Sequence, residues 1–377
     1  MASLPQGFRG AGVAAGIKSS GNRDLALIVN DGPQKFGTAV FTSNRVEAAP
    51  VSWSRQVVAD KEVSAIILNS GGANACTGPE GFADTHKTAE HVAEKLSVSA
   101  GDVVVCSTGL IGVRLPMDAL LSGVDRAVDQ LTGSNAEEIA EAIMTTDSHS
   151  KFFEKEYKGV KVFGIAKGAG MLAPSLATML SVIVTDAIVD EAAGKIFKEV
   201  TSETFDLLDS DGCMSTNDTV TFMASGASGI TLSHQELKTL LLDCASYLAN
   251  QLISDAEGHT KIVEIVTINA ASKEDALEVV IDEGYWEYLS GTEKVASNTA
   301  SFCFPVLHDC PFDVYSVQST PLKPHKPLTK KQLKARKEAS LTDLRNFAKQ
   351  FKEAKLLEYN SWKENEVFEL VDTRKVH

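Results

Sequence analysis

Up to about residue 275, short apolar runs alternate with stretches whose apolar side chains recur at helical spacing, and glycine-rich turns separate them. A run that is apolar at every position has the character of a buried strand, and amphipathic helices are the elements that pack over such strands. The alternation predicts a layered α/β protein. Candidate strands are Leu25 to Val29, Ala65 to Leu68, Val103 to Val105, Val162 to Ile165, Met179 to Thr185, Val220 to Met223 and Ile262 to Ile268. Candidate helices are Thr85 to Leu96, Asp190 to Leu208 and Leu237 to Ile253, the last opened by a capping box of Ser233 and Glu236.

The pattern changes near Ile281. Beyond it come Trp286, Phe302, Phe304 and Phe312, prolines at 321, 324 and 327, and a Lys/Arg-dense run from Lys323 to Lys355 that reads as a solvated helix face or a disordered arm. Leu341 to Leu357 has only a narrow apolar stripe and needs a partner to be helical. A boundary is expected at roughly 275 to 285.

With 377 residues, 44% of them hydrophobic, the chain has material for more than one core. Its formal net charge of -14 argues against sequence-independent nucleic-acid binding, which requires a basic face to displace counterions. No apolar run approaches the ~20 residues of a membrane helix. Met1 to Arg9 has neither a secretory apolar core nor a transit-peptide pattern, so a cytoplasmic location is expected, with mitochondrion or plastid open if the chain begins further upstream. Six cysteines without a Cys-x-x-Cys pair predict reduced, mostly buried thiols, and dispersed histidines predict no metal.

Chemistry concentrates in three segments. In Lys167-Gly-Ala-Gly-Met-Leu-Ala-Pro-Ser-Leu-Ala-Thr-Met-Leu180 a glycine-rich loop delivers Thr178 to the start of an apolar strand. A threonine hydroxyl is a weak nucleophile until a base takes its proton, and its own α-amine serves once the Ala177–Thr178 bond is cut. That amine titrates near pH ~8, close enough to neutrality to act as a base. A buried strand-initiating threonine is the plainer alternative. In Val103 to Gly112 a strand runs into Thr108 and Gly109, a hydroxyl and a turn amide suited to an oxyanion, though such turns also serve packing alone. In Asp255 to Lys261, Glu257 and Lys261 flank a glycine, suited to binding an amino group or to an ordinary surface ion pair.

Together with Gly7-Phe-Arg-Gly-Ala-Gly-Val-Ala-Ala-Gly-Ile-Lys18, Val40-Phe-Thr-Ser-Asn-Arg45, Asn69 to Gly78, Thr145-Thr-Asp147 and Ser215-Thr-Asn-Asp-Thr219, these segments resemble the bifunctional glutamate N-acetyltransferase/ornithine acetyltransferase family from Gly7 to about Ala276. The resemblance implies an αββα-type sandwich with an unrelated, poorly structured tail. It divides the chain into an α-chain region (1–177), the start of a β-chain (178–280) and a non-homologous segment (281–377). It implies self-cleavage at Ala177–Thr178 and acetyl transfer from N2-acetyl-L-ornithine to L-glutamate in arginine biosynthesis, without a cofactor and with acetyl-CoA as a further donor in some members. Thr178 becomes the nucleophile, and Thr108 and Gly109 the oxyanion hole. Substrate contacts fall on the Thr145–Thr146 pair, Lys167, Thr178 and Glu257. The cleaved chains are expected to stay together as an αβ heterodimer or a heterotetramer.

Two departures bear on activity. Ser148-His149-Ser150 replaces a stretch in which the family tends to have a proline before Lys151, and no counterpart is found of the Asn and Ser/Thr with which the family's second chain contacts substrate near its end. Glu358 to Val371 is instead similar to the region preceding the reverse-transcriptase domain of copia-type retrotransposon polyproteins, without a polymerase's paired aspartates. An amidase or aminopeptidase with the same threonine logic, and an inactive fusion product, stay open as alternatives.

Overall fold

The architecture is carried by strands most of which bury both faces. In the computed structural model they are β1 (Phe8–Val13), β2 (Leu25–Asn30), β3 (Phe36–Phe41), β4 (Ala65–Asn69), β5 (Val103–Ser107), β6 (Lys151–Tyr157), β7 (Val160–Lys167), β8 (Leu180–Thr185) and β10 (Thr219–Ala224), with a two-residue β9 (Leu208–Asp209) before the last of these. The structure describes residues 2–134, 136–171, 179–210 and 213–259, together with the strands β11 (Lys261–Val266), β12 (Thr299–Phe304), β13 (Ser316–Gln318) and β14 (Glu369–Val371). The chain divides into two units, Met1–Glu264 with Ala300–His308, and Ile265–Thr299 with Asp309–His377. In the second, β13 pairs antiparallel with β14. The expected helix at Leu341 to Leu357 lies outside the described residues.

The first unit holds two main sheets, ordered β1-β2-β4-β5 and β3-β10-β8-β7-β6. Alternation along each strand assigns its side chains to one face or the other. From the first sheet Ala26, Ile28, Ile66, Leu68 and Val104 meet Phe163, Ile165, Val182, Val184 and Met223 of the second, so the sheets pack face to face. The opposite face of the first sheet (Leu25, Leu27, Ile67, Val105) is covered by Val92 of α2 (Gly78–Leu96) and Leu120 and Val124 of α3 (Met117–Asp129). The opposite face of the second (Val162, Ile183, Val220, Phe222) is covered by Phe197 of α5 (Ala193–Ser202) and Leu241 and Leu248 of α6 (His234–Ile253). The order of layers is helix, sheet, sheet, helix, as expected. Two shorter helices, α1 (Ala49–Val57) and α4 (Ala136–Ala142), also belong to this unit, and Ile139 of α4 inserts into the core between the sheets.

All seven expected strands form, the last as Lys261–Val266, with 267 and 268 outside the described residues. The capping box at Ser233 and Glu236 opens α6. Two helix boundaries differ. Helix α2 starts at Gly78 rather than Thr85, because a proline in the first turn needs no backbone donor there. The helix expected over Asp190 to Leu208 is confined to Ala193–Ser202 and is followed by a single tight turn at Phe205–Leu207. The hydroxyls of Thr201, Ser202 and Thr204 bond back to the carbonyls of Lys198, Glu199 and Val200, which competes with continued helix. The thiols also differ from expectation: Cys106 and Cys244 are buried, whereas Cys76 and Cys213 are exposed. Among the described residues no helix is long and apolar enough to cross a membrane.

Candidate active site

The turn after β5 is built by backbone packing. Strand β5 runs parallel to β4 with Ser107 opposite Asn69, and the chain then bends so that the Thr108 N–H donates to Asn69 O at 2.9 Å. The Ser107 hydroxyl donates to Asn69 Oδ1 at 2.6 Å, and Asn69 Nδ2 donates to Gly72 O at 2.9 Å, tying this turn to the Gly71–Gly72 loop. Gly109 lies against that loop with φ +131°, and a Cβ there would sit 2.8 Å from Gly72 N and 3.0 Å from Gly71 C. Only glycine fits. Asn217 clamps both loops at once, donating from Nδ2 to Ala73 O at 2.6 Å and to Ser107 O at 2.8 Å.

Lys167 ends β7 and reaches this turn, its Nζ donating to Thr108 Oγ1 at 3.2 Å within the protein. Strand β8 lies between β7 and β10, and its first residue Leu180 is opposite Lys167 on one side and Thr219 on the other. The chain therefore enters the sheet at Met179 flanked by the end of β7 and the start of β10. Thr178 and Ala177 lie outside the described residues, but Met179 N donates to Asp218 Oδ1 at 3.0 Å, which fixes the backbone at the very next residue. Burial, opposed by the Asp147 carboxylate and reinforced by the Lys151 ammonium, brings Lys167 down to about 8, so its charge changes near physiological pH.

A buried ionic network supports the surrounding loops. Lys151 is wholly buried and donates to Asp147 Oδ1 at 2.7 Å and Asp255 Oδ2 at 2.5 Å. Asp147 also accepts from Gly168 N at 2.7 Å and from Thr145 N at 2.9 Å. Burial pushes its carboxyl up, yet Lys167, Lys151 and the Thr145 N–H outweigh that and hold it below the usual range. Asp255 accepts from Ser148 N at 3.0 Å and pairs with the Ser148 hydroxyl, so Ser148, one of the departures noted above, is absorbed into the network.

The expected site residues distribute unevenly. Thr108, Gly109 and Lys167 come together beside Met179. Thr145 joins them through Asp147, while the Thr146 side chain is exposed. Glu257 lies one turn beyond α6, where its N–H bonds Ala169 O, and its Oε2 stands 3.6 Å from where a Gly170 Cβ would be, so its carboxylate faces the loop that follows Lys167. Asp147, Lys151, Asp255, Asn217 and Asp218 were not singled out in the sequence. Their signal was faint: polar residues in or beside the motifs, buried between apolar strands. Among the described residues no group of three His, Cys, Asp or Glu stands close enough to hold a metal ion.

The ArgJ family model matches residues 9–282. The arginine biosynthesis bifunctional protein ArgJ of Thermobifida fusca is 56% identical over 278 residues, covering 74% of this chain and 73% of that protein. The protein of the same name from Streptomyces avermitilis is 56% identical over 275 residues, covering 73% and 72%. Among solved structures, the ornithine acetyltransferase of Mycobacterium tuberculosis complexed with ornithine is 52% identical, with a TM-score of 0.41 over 47% of this chain and 94% of that one.

Proposed function

This chain belongs to the ArgJ family, and on that premise we propose that it is an acyltransferase of arginine biosynthesis that moves the acetyl group of N2-acetyl-L-ornithine to L-glutamate. The observation that carries the proposal is the meeting of Lys167, Thr108 and the Gly109 turn beside the residue that follows Thr178. Thr178, with its α-amine freed by cleavage from Ala177, attacks the acetyl carbonyl, ornithine leaves, and the glutamate amine collects the acetyl group. Negative charge that develops on the acetyl oxygen is met by the Thr108 hydroxyl and the Gly109 N–H. Thr108 accepts from Lys167, which polarises its O–H toward the substrate. Thr145 or Thr146, Lys167 and Glu257 hold the amino-acid part of the substrate, and no cofactor is needed because the acetyl group rides on Thr178.

Cleavage between Ala177 and Thr178 leaves the two products sharing one sheet. The cut falls between β7 and β8, which remain hydrogen-bonded neighbours in the middle of one sheet, so the two products stay interlocked as an αβ heterodimer.

The test is transfer of acetyl from N2-acetyl-L-ornithine to labelled glutamate by the full chain, with Thr178→Ala as control. Product that forms only with glutamate present, and not with Thr178→Ala, supports the proposal. Acetate release indifferent to glutamate would favour an amidase instead, and a folded, cleaved chain without either activity would overturn the assignment. Acetyl-CoA in place of acetylornithine reads out the second donor.

A further inference from the structure

Lys18 closes the Gly7 to Lys18 motif, and the acetyl-transfer chemistry leaves it without a task. The loop that carries it is pinned by Asp24, a fully buried carboxylate that accepts from four successive amides: Ala15 N at 2.6 Å, Gly16 N at 3.2 Å, Ile17 N at 2.7 Å and Lys18 N at 2.8 Å. From that fixed backbone the half-buried Lys18 side chain reaches the loop after α4, where Nζ donates to Met144 O at 2.6 Å and to Arg23 O at 3.1 Å. Met144 O and Thr145 N are the two polar atoms of one planar peptide unit. Asp147 Oδ2 accepts from Thr145 N at 2.9 Å, so this unit is gripped on one edge by an ammonium and on the other by a carboxylate. Charge-assisted bonds of this kind are the stronger ones. Helix α4 does not depend on that grip, because Arg23 pairs with Glu138 at 2.6 Å, Ile139 sits in the core and the Ser70 hydroxyl holds Ala142 O at 2.5 Å. What Lys18 adds falls on the peptide that leads into the threonine pair.

We propose that Lys18 is a positioning residue of the transfer reaction: by gripping Met144 O while Asp147 grips Thr145 N, it holds the Thr145–Thr146 pair in the orientation that receives the amino-acid part of acetylornithine and of glutamate. The inference rests on the acyltransferase reading above. Contacts to the amino-acid part, away from the acetyl carbonyl, bind ground state and transition state alike, so loosening them raises KM and leaves kcat in place. Both half-reactions use the same pair, so donor and acceptor are affected together. Lys18 also carries an electrostatic signature. Burial lowers its own titration against Asp24 and Asp147, and its charge joins that of Lys151 in lowering Lys167, against Asp147 and Asp218.

The test compares full-length wild type, Lys18→Met and Lys18→Arg by steady-state kinetics over a range of pH, with rates expressed per correctly processed chain. Lys18→Met keeps the apolar stem and loses the donor. It is expected to raise KM about tenfold or more for both acetylornithine and glutamate, the worth of a hydrogen bond from a charged group, with kcat within about threefold of wild type at pH below the Lys167 titration. Its alkaline fall in kcat should move to higher pH, because a like charge near Lys167 is gone, a shift that lost packing does not produce. Lys18→Arg restores a cation and its donors, and should recover most of the KM and return the fall in kcat toward its place. A KM for either substrate within about twofold of wild type in Lys18→Met, or a fall in kcat with KM unchanged, overturns the inference. So does a folded Lys18→Arg without recovery. Should Lys18→Met fail to fold, Lys18→Gln takes its place under the same criteria, and failure of both to fold overturns the inference, because the grip then holds the fold and not the threonine pair. Absence of acetyl transfer by the wild-type chain itself overturns the acyltransferase reading instead.

Discussion

Lys167 Nζ donates to Thr108 Oγ1 at 3.2 Å, joining the end of β7 to the turn after β5 across the two sheets. The contact gives Thr108 an orientation that its own turn does not supply: with its oxygen accepting from an ammonium, its O–H points away toward the developing charge. Thr108→Val keeps the shape and removes the donor. It is expected to lower kcat about 10²–10³-fold with little change in KM, as loss of one oxyanion donor does. Thr108→Ser should recover most of the rate. Steady-state kinetics of both variants check this, and an unchanged kcat in Thr108→Val would remove Thr108 from the oxyanion hole.

Gly109→Ala separates strain from chemistry. The residue sits at φ +131° with its missing Cβ aimed at the backbone of Gly71 and Gly72. A side chain there must adopt left-handed backbone and displace atoms that cannot rotate away. Denaturant unfolding should show a loss of about 1–3 kcal/mol, and acetyl transfer should fall more than that loss alone implies, because the amide at this turn is displaced.

The titration of Lys167 gives a signed prediction. Its folded value is about 8 against 10.5 ordinarily, so between these values the unfolded chain binds the extra proton. Stability contributed by this group therefore rises with pH through the window from about 8 to 10.5, and its full penalty is present below about 8. Against Lys167→Met, which cannot titrate, the wild-type chain should gain stability across that window and show no relative change at lower pH. Activity should run the opposite way: kcat falls as pH rises through about 8, because the neutral amine no longer polarises Thr108. Parallel unfolding and kcat profiles test both signs.

The central architecture was legible because it is written in side chains that leave no choice. Runs such as Leu25 to Val29 and Ala65 to Leu68 are apolar at every position and belong between two layers. Strand β1 escaped because glycines interrupt it, and they do so for a reason visible only in three dimensions: a Cβ on Gly12 would lie 2.0 Å from Glu138 O in α4. Strand β6 escaped because it is an edge strand whose outer half carries Glu154, Lys155 and Glu156. The site divided in the same way. Thr108, Gly109 and Lys167 stand in recognisable motifs, whereas Asp147, Lys151 and Asp255 function through mutual contacts between residues up to 104 positions apart, which spacing along a chain does not encode.

That last network yields the strongest stability prediction. Lys151 is buried between Asp147 and Asp255, and Asp147 in turn holds the Gly168 and Thr145 amides. Lys151→Met leaves two buried carboxylates without their cation, and a buried pair broken on one side costs about 3–5 kcal/mol. Asp147→Asn in the same chain removes one of those stranded charges while keeping an acceptor for Gly168 N. The double variant should therefore be less destabilised than the sum of the two single variants, by about 0.5–3 kcal/mol of coupling. If the losses simply add, the three residues are not acting as one unit, and the support they give to the Lys167–Gly168 junction must come from elsewhere. Because Asp147 also favours the Lys167 charge, Asp147→Asn should in addition move the alkaline fall in kcat to lower pH, a shift that a purely structural lesion would not produce.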